Sequence, residues 1–317
     1  MSTKLHLIGG NGGDPFTFDG FNNGATLKKI GVAVGGWQIH AVRAELTDGR
    51  VATFGRASTF KEFTFNPGEL ITKLSLWGNG AGSRLGGIRL WTSSGREFFE
   101  HMNGWPMKTE YSIDVGSGVC LGLVGRHGHD IDCMGFHFIS PIKSSVLTNL
   151  TYSGLAMYKP QVSKEYIKSV AYRNNTSEAQ EQKCTYSRSV TKKTTWSTTN
   201  KIESTISVTV SAGIPKLVEV SSEFSLTVGA EHSNSMSHVE TITESDEVSV
   251  KVPAGKTVSV ELSVGRAVID LEYSASVWIT CMNGHMLVFP CTGNYTGVAY
   301  TAVDVSTTES DIVMNAK

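Results

Sequence analysis

Three copies of one short motif, spaced 46 residues apart both times, constrain the first half of this chain more than any other feature. They read Gly36-Trp37-Gln38-Ile39-His40-Ala41-Val42, Gly82-Ser83-Arg84-Leu85-Gly86-Gly87-Ile88 and Gly128-His129-Asp130-Ile131-Asp132-Cys133-Met134. Each runs Gly, two residues, an aliphatic, two residues, a large apolar. The first two also share a turn, Asp48-Gly49-Arg50 against Ser94-Gly95-Arg96. An alternating apolar segment precedes each copy: Ile30/Val32/Val34, Leu74/Leu76 and Leu121/Leu123. A repeat of this period marks one supersecondary unit used three times. With three copies and β alternation throughout, the expectation is a closed prism of three sheets rather than a long solenoid.

Composition agrees. Gly is abundant at 33 residues, Pro scarce at 8, and helical periods are few, which points to an all-β protein. Lys and Arg number 28 against 29 Asp and Glu, so no basic excess exists to hold a nucleic-acid backbone. No apolar run reaches the roughly 18 residues of a spanning helix. The start, MSTKLHLIGG, lacks a positive-then-apolar leader, so synthesis as a soluble cytoplasmic protein is expected. Release to the extracellular space then needs a route that the sequence does not show. The five cysteines are odd in number and imply no disulfide framework, although Cys120 and Cys133 are close enough in sequence to face each other across a hairpin.

Composition shifts near Ser140-Pro141, and Ser and Thr dominate Thr185–Ser211. Such a run suits disorder, but apolar residues recur at every second position through Val210, as in a strand. Further strands follow at Glu247–Val252, at Val258–Val264 after a Pro253-Ala254-Gly255-Lys256 turn, and at Asp270–Thr280 before an Asn283-Gly284 hairpin turn.

Residues 204–228 alternate most clearly. Ile206, Val208, Val210, Val218, Val220, Phe224 and Leu226 hold even positions; Ser207, Thr209, Ser211, Glu219, Ser221, Glu223 and Ser225 hold odd ones. A turn at Gly213-Ile214-Pro215-Lys216 would set Ala212 against Val218, Val210 against Val220, Val208 against Ser222 and Ile206 against Phe224. Each arm then has the 9–11 residues of a tilted membrane strand. The alternation fits a half-buried soluble strand as well as a barrel wall with lipid outside and water inside. The small hydroxyl face and the apolar tip, with Ile214 exposed on it, tilt the reading toward lipid. One hairpin cannot span alone, because its edges would carry unpaired backbone groups, so oligomerisation is required. Glu203, Glu219 and Glu223 would line such a lumen and favour cations, with Lys201 opposing them.

Only the third repeat has a carboxylate four residues after its glycine; the equivalent positions are His40, Gly86 and Asp132. A fixed carboxylate beside free backbone N–H groups suits adjacent sugar hydroxyls. Gly9-Gly10-Asn11-Gly12-Gly13 is a loop whose backbone can approach a ligand closely. A metal reading of His127, His129, Cys133 and His137 lacks a closed-site spacing. No Gly-x-Ser-x-Gly elbow, phosphate loop or His-Glu-x-x-His motif points to an enzyme.

Taken together, Gly9–Gly13, the three-fold repeat and the last-repeat Gly-x-x-x-Asp resemble the jacalin-like, mannose-binding lectin domain over about residues 4–140. The resemblance implies sugar-binding positions at Gly12, Gly13, Gly128, His129, Asp130, Ile131 and Asp132, with Asp132 as anchor. The second half resembles an aerolysin-type pore-forming module, and the whole layout resembles the natterin-like, aerolysin-like proteins. Gly35-Gly36-Trp37-Gln38-Ile39, Leu76-Trp77-Gly78-Asn79-Gly80-Ala81-Gly82 and Asp114-Val115-Gly116-Ser117-Gly118 carry that likeness. What it implies is a β-prism of three Greek-key sheets over 1–143 and a twisted antiparallel module over 144–317, with a membrane hairpin at 204–228. Its partners would be cell-surface, mannose-rich glycans, a target membrane and copies of itself: a dimer in solution and a ring on the membrane. No nucleic acid, metal or cofactor is expected. The rival is a soluble dimeric lectin without pore activity.

Overall fold

The structure, a computed structural model, describes residues 3–220 and 223–312. Strands β1 (Ile8–Gly9) and β2 (Asp14–Asp19) open the chain. Strands β3 (Leu27–Val34), β4 (Ile39–Leu46), β5 (Val51–Gly55) and β6 (Lys61–Thr64) pair in the order β5-β4-β3-β6. Strands β7 (Ile71–Gly78), β8 (Leu85–Thr92), β9 (Glu97–His101) and β10 (Glu110–Ile113) pair in the order β10-β7-β8-β9. Strands β11 (Cys120–His127) and β12 (Ile131–Phe138) return to the first pair, giving β1-β12-β11-β2. Each repeat is thus the central hairpin of a four-stranded sheet, and the three sheets share one core.

The apolar residues of the motif supply that core. Ile39, Val42, Leu85, Ile88, Ile131 and Met134 are all 0% exposed. Core positions three apart look wrong for a strand, whose side chains alternate. A β-bulge resolves this in every repeat. Val34 pairs with Ile39 while Ala33 pairs with Ala41, so His40 is the extra residue. Gly86 is extra in the second repeat and Asp132 in the third. The bulge puts both flanking aliphatics on the core face and re-aims the residue between them. The shared turns also superpose in their bonding. Leu46 N–H donates to Arg50 O and Thr92 N–H to Arg96 O, both at 2.9 Å, with Gly49 and Gly95 at positive φ (88° and 72°), a conformation glycine adopts without strain.

The remaining strands are β13 (Ile142–Tyr152), β14 (Val162–Arg173), β15 (Gln180–Thr198), β16 (Thr209–Val220), β17 (Glu223–Ser235), β18 (Ser237–Val252), β19 (Lys256–Cys281) and β20 (Met286–Asp311). They form one sheet in the order β17-β16-β13-β19-β20-β15-β18, with β14 paired to β19. The described residues divide into two compact units. The first holds the residues up to Thr151 together with Ser197–Ser211 and Ser274–Gly293. The second holds Tyr152–Trp196, Ala212–Tyr273 and the residues from Asn294 onward. The first unit thus runs past the 143/144 boundary read from the sequence and takes in two later segments.

Three further expectations are corrected. Gly213-Ile214-Pro215-Lys216 is not a turn but the interior of β16, and the connection to β17 falls at 221–222, outside the described residues. Gly213 lies against Gly229 of β17, not across a tight turn from Lys216, so the pairings of Ala212 with Val218 and Ile206 with Phe224 do not form, and Ser222, expected opposite Val208, lies outside the described residues. A side chain at Gly213 would collide with the Gly229 carbonyl, so glycine is needed there for close approach of two strands rather than for a reversal. The strand also starts later than expected. Residues 202–204 form a short 3-10 helix, which leaves Glu203, Ile206 and Val208 off the ribbon. Cys120 pairs across with Phe138 and Cys133 with Arg126, so the two do not face each other, and all five cysteines are free and buried.

Candidate functional site

In the first unit the Gly-rich loop and the third repeat converge. Gly10 N–H donates to Asp132 O at 2.8 Å. The backbone at Gly12 and Gly13 packs directly on the Asp132 carboxylate, leaving no room for a Cβ at either position. Arg126 on β11 fastens the loop, donating to Gly12 O at 2.9 Å and Gly13 O at 2.7 Å. Gly128 N–H donates to Asp130 O at 3.0 Å, closing the turn that carries exposed His129.

The sequence-derived residues thus assemble around the third repeat. Asp132, expected as an open anchor, is 2% exposed and ion-paired with Arg84 Nη1 at 2.8 Å. Ile131 is fully buried in the prism core, so its side chain is closed to a ligand. Asp130 is the carboxylate nearer solvent. It accepts from Gln38 Nε2 at 3.0 Å and from His40 Nδ1 at 2.7 Å, and Arg84 Nε stands 3.9 Å away. Arg84, Gln38 and His40 escaped the sequence reading. The signal was present: His40 occupies the bulge position equivalent to Asp132, so two repeats aim bulge residues toward one end of the prism. Two of the histidines of the metal reading, His127 and His137, are engaged elsewhere. His127 accepts the Gly55 N–H at 3.2 Å and its ring meets the edges of Phe16 and Phe54, while the His137 ring packs on Phe21.

Beside this cluster, Trp37 and Trp105 stack with ring centroids 5.7 Å apart, and they are 63% and 47% exposed.

The second candidate site is the ribbon β16–β17. β17 is the edge strand, and β16 pairs with β13 over only two residues, Val146 with Thr209 and Leu147 with Val210. On β16, Val210 is fully buried while Ile214 and Val218 are half-buried. On β17, Phe224 and Leu226 turn inward, and Glu223, Ser225 and Thr227 face solvent. The Val220 side chain lies outside the described residues. Within the second unit an aromatic knot grips the ribbon. Trp196 Nε1–H donates to Tyr152 Oη at 3.2 Å, and the Tyr152 hydroxyl donates to Gly213 O at 2.8 Å. The Tyr295 ring packs on both. Burial pushes the Tyr152 phenol up to about 12, so it stays a donor at neutral pH.

A longer ribbon flanks the other sheet edge. Strands β15 and β18 pair without a break from Gln180 with Val252 to Thr195 with Ser237. One face carries facing hydroxyls, Ser187 with Ser245 and Thr191 with Thr241, each pair 3.2 Å apart. No helix among the described residues is long and apolar enough to cross a membrane, which leaves strands as the elements to consider.

A family model for the jacalin-like lectin domain matches residues 5–137, and one for the aerolysin toxin matches residues 125–309. The chain is similar to the solved structure of lamprey immune protein at 51% identity, covering 97% of this chain and 98% of that one, with a TM-score of 0.92. Part of the chain is also similar to Malaysian banana lectin (23% identity, 44% of this chain, 98% of that one, TM-score 0.37). A mannose-binding jacalin-related lectin from Ananas comosus matches likewise (24% identity, 44% of this chain, 98% of that one, TM-score 0.36). No curated protein matches the chain.

Proposed function

Because this chain belongs to the aerolysin family, with a jacalin-like lectin domain ahead of the aerolysin domain, we propose that it is a glycan-targeted pore-forming protein of innate defence. The prism binds mannose-rich glycans on a target cell. Surface capture raises the local concentration of bound copies, and these assemble into a ring. The protein reaches the membrane in soluble form, as a dimer in solution, and each copy then gives β16–β17 to a common barrel. Both families are generally non-enzymatic, and binding and assembly account for the whole proposed activity.

One observation carries the pore reading. The alternating ribbon ends the sheet and meets β13 through two ladder pairs, the Thr209 hydroxyl and the Tyr152–Gly213 bond, so few contacts must break for it to leave the sheet's centre intact. Several ribbons together can satisfy in lipid the backbone groups that a single one leaves bare.

The test is a reversible staple. Val146 and Thr209 are cross-strand partners, so V146C/T209C should form a disulfide that ties β16 to β13. Oxidised variant should bind glycan-bearing vesicles without releasing entrapped dye, and reduction should restore release. Equal release by oxidised variant and parent would refute insertion of this ribbon. Absence of release and of high-mass oligomers with the reduced parent would favour a soluble lectin.

A further inference from the structure

We infer that the prism holds its glycan at a composite subsite built from the first and third repeats, where a neutral hexose ring stacks on the exposed Trp37–Trp105 pair and directs hydroxyls to Asp130. The inference rests on the reading of the prism as a glycan binder and relocates the contact surface within it.

The expected pocket is occupied by the protein itself. Asp132 is buried, pressed by the Gly12–Gly13 backbone and paired with Arg84, whose Nη1 also donates to Ser83 O at 2.8 Å. Displacing that guanidinium would leave a buried carboxylate without its partner. Asp130 differs. Gln38 and His40 fix its carboxylate with one hydrogen bond per oxygen, Arg84 Nε stands 3.9 Å from one of them, and a carboxylate has about four acceptor sites, so capacity remains for hydroxyls. Both donors come from the first repeat, Gln38 from the loop that also carries Trp37 and His40 from the bulge at the start of β4.

The aromatic pair is held in place before any ligand arrives. Gly35 N–H donates to Gln38 O at 2.8 Å and closes the turn under Trp37. Gly104 N–H donates to Gly36 O at 2.7 Å, which locks the Trp105 loop to the Trp37 loop. A side chain at Gly35 would strike the His40 ring, and one at Gly104 would press on Gly36 O at 2.8 Å, so both glycines serve close approach. A prebuilt surface loses little conformational freedom on binding. Two large aromatic rings stacked on each other yet left mostly in water await a partner. The donor and acceptor set selects among partners. Asp130 offers acceptor oxygens to sugar hydroxyls while Arg84 beside it balances its charge, which suits a neutral ligand.

The test uses full-length protein and a neutral high-mannose glycopeptide as probe, with calorimetry as readout and glycan-free phosphatidylcholine vesicles as a second arm. W37A and W105A should each weaken glycopeptide binding by about tenfold or more, W37F should retain most of the affinity, and thermal melts should match the parent. Glycopeptide should also change tryptophan fluorescence in the parent and less so in W37A. If the parent binds and both alanine variants bind equally well, the composite subsite is wrong while the glycan reading stands. If the variants lose vesicle binding and keep glycopeptide binding, the pair is a lipid anchor and the inference fails. If the parent binds no glycan, the underlying reading falls as well.

Discussion

Tyr152 is the residue on which the ribbon's docking turns. Its hydroxyl is both acceptor for Trp196 and donor to Gly213 O. Tyr152→Phe keeps the ring in the knot and deletes both bonds. Leaving a buried donor and acceptor unpaired costs about 1–3 kcal/mol. The variant should melt at lower temperature and release vesicle dye faster than the parent; slower release would contradict the latch. Glu69 is a second residue with a readable consequence. Arg96 is the main cause, with Thr92 and the Asn66 N–H adding to it, of a carboxyl pKa lowered from 4.5 to about 2. Because the folded value is depressed, the stabilisation is complete above the ordinary Glu range and is lost as pH falls from 4.5 toward about 2. Glu69→Gln should therefore be less stable than the parent at pH 7, with the gap closing across that acid window in denaturant titrations.

At the scale of elements, the bulged hairpin explains the prism and the edge ribbon explains the proposed pore. Ile88 sits at the core position after the second bulge and is 0% exposed. Ile88→Ala should cost about 2–5 kcal/mol, read from chemical denaturation, since it opens a cavity where three sheets meet. Glu219 and Glu223 are exposed at the two ends of β16 and β17 that face their connection, whereas Glu203 is tied to Thr198 in the 3-10 segment. Lumenal carboxylates attract cations, so E219Q/E223Q should reduce cation preference in single-channel reversal potentials. An unchanged preference would place those carboxylates outside the conduction path. Gly213-Ile214-Pro215-Lys216 shows why local rules misplace a turn. Gly and Pro usually punctuate, but here Gly admits the neighbouring strand and Pro215 lies beyond the last β13 pair, where no donor to β13 is needed.

For the whole molecule, chain order and spatial order differ. The first unit recruits segments from far along the sequence. Asn283 Nδ2 donates to Ser140 Oγ at 3.2 Å, Met282 N–H donates to Pro141 O at 2.7 Å, and Ile202 is 1% exposed. The Phe289 ring covers Gly24. A fragment ending at residue 143 would lack these covers. It should melt several degrees below a version that retains residues 197–211 and 274–293, at about 4–8 °C per kcal/mol lost. Equal melting temperatures would show that the returning segments are passengers.

What the sequence determined by itself was periodicity: three equal repeats, the two-residue alternation of the long strands and the Gly-rich loop beside Gly-x-x-x-Asp. These follow from local geometry, because strand pleat and turn chemistry act within a few residues. Tertiary structure alone decided which carboxylate stays open. Asp130 and Asp132 differ in neighbours that come from Gln38 and His40 on one side and from Gly12, Gly13 and Arg84 on the other, tens of residues away. It likewise decided where the ribbon turns and which segments complete the prism. Burial, ion pairing and strand register are set by contacts between distant residues, and those contacts leave no local period to read.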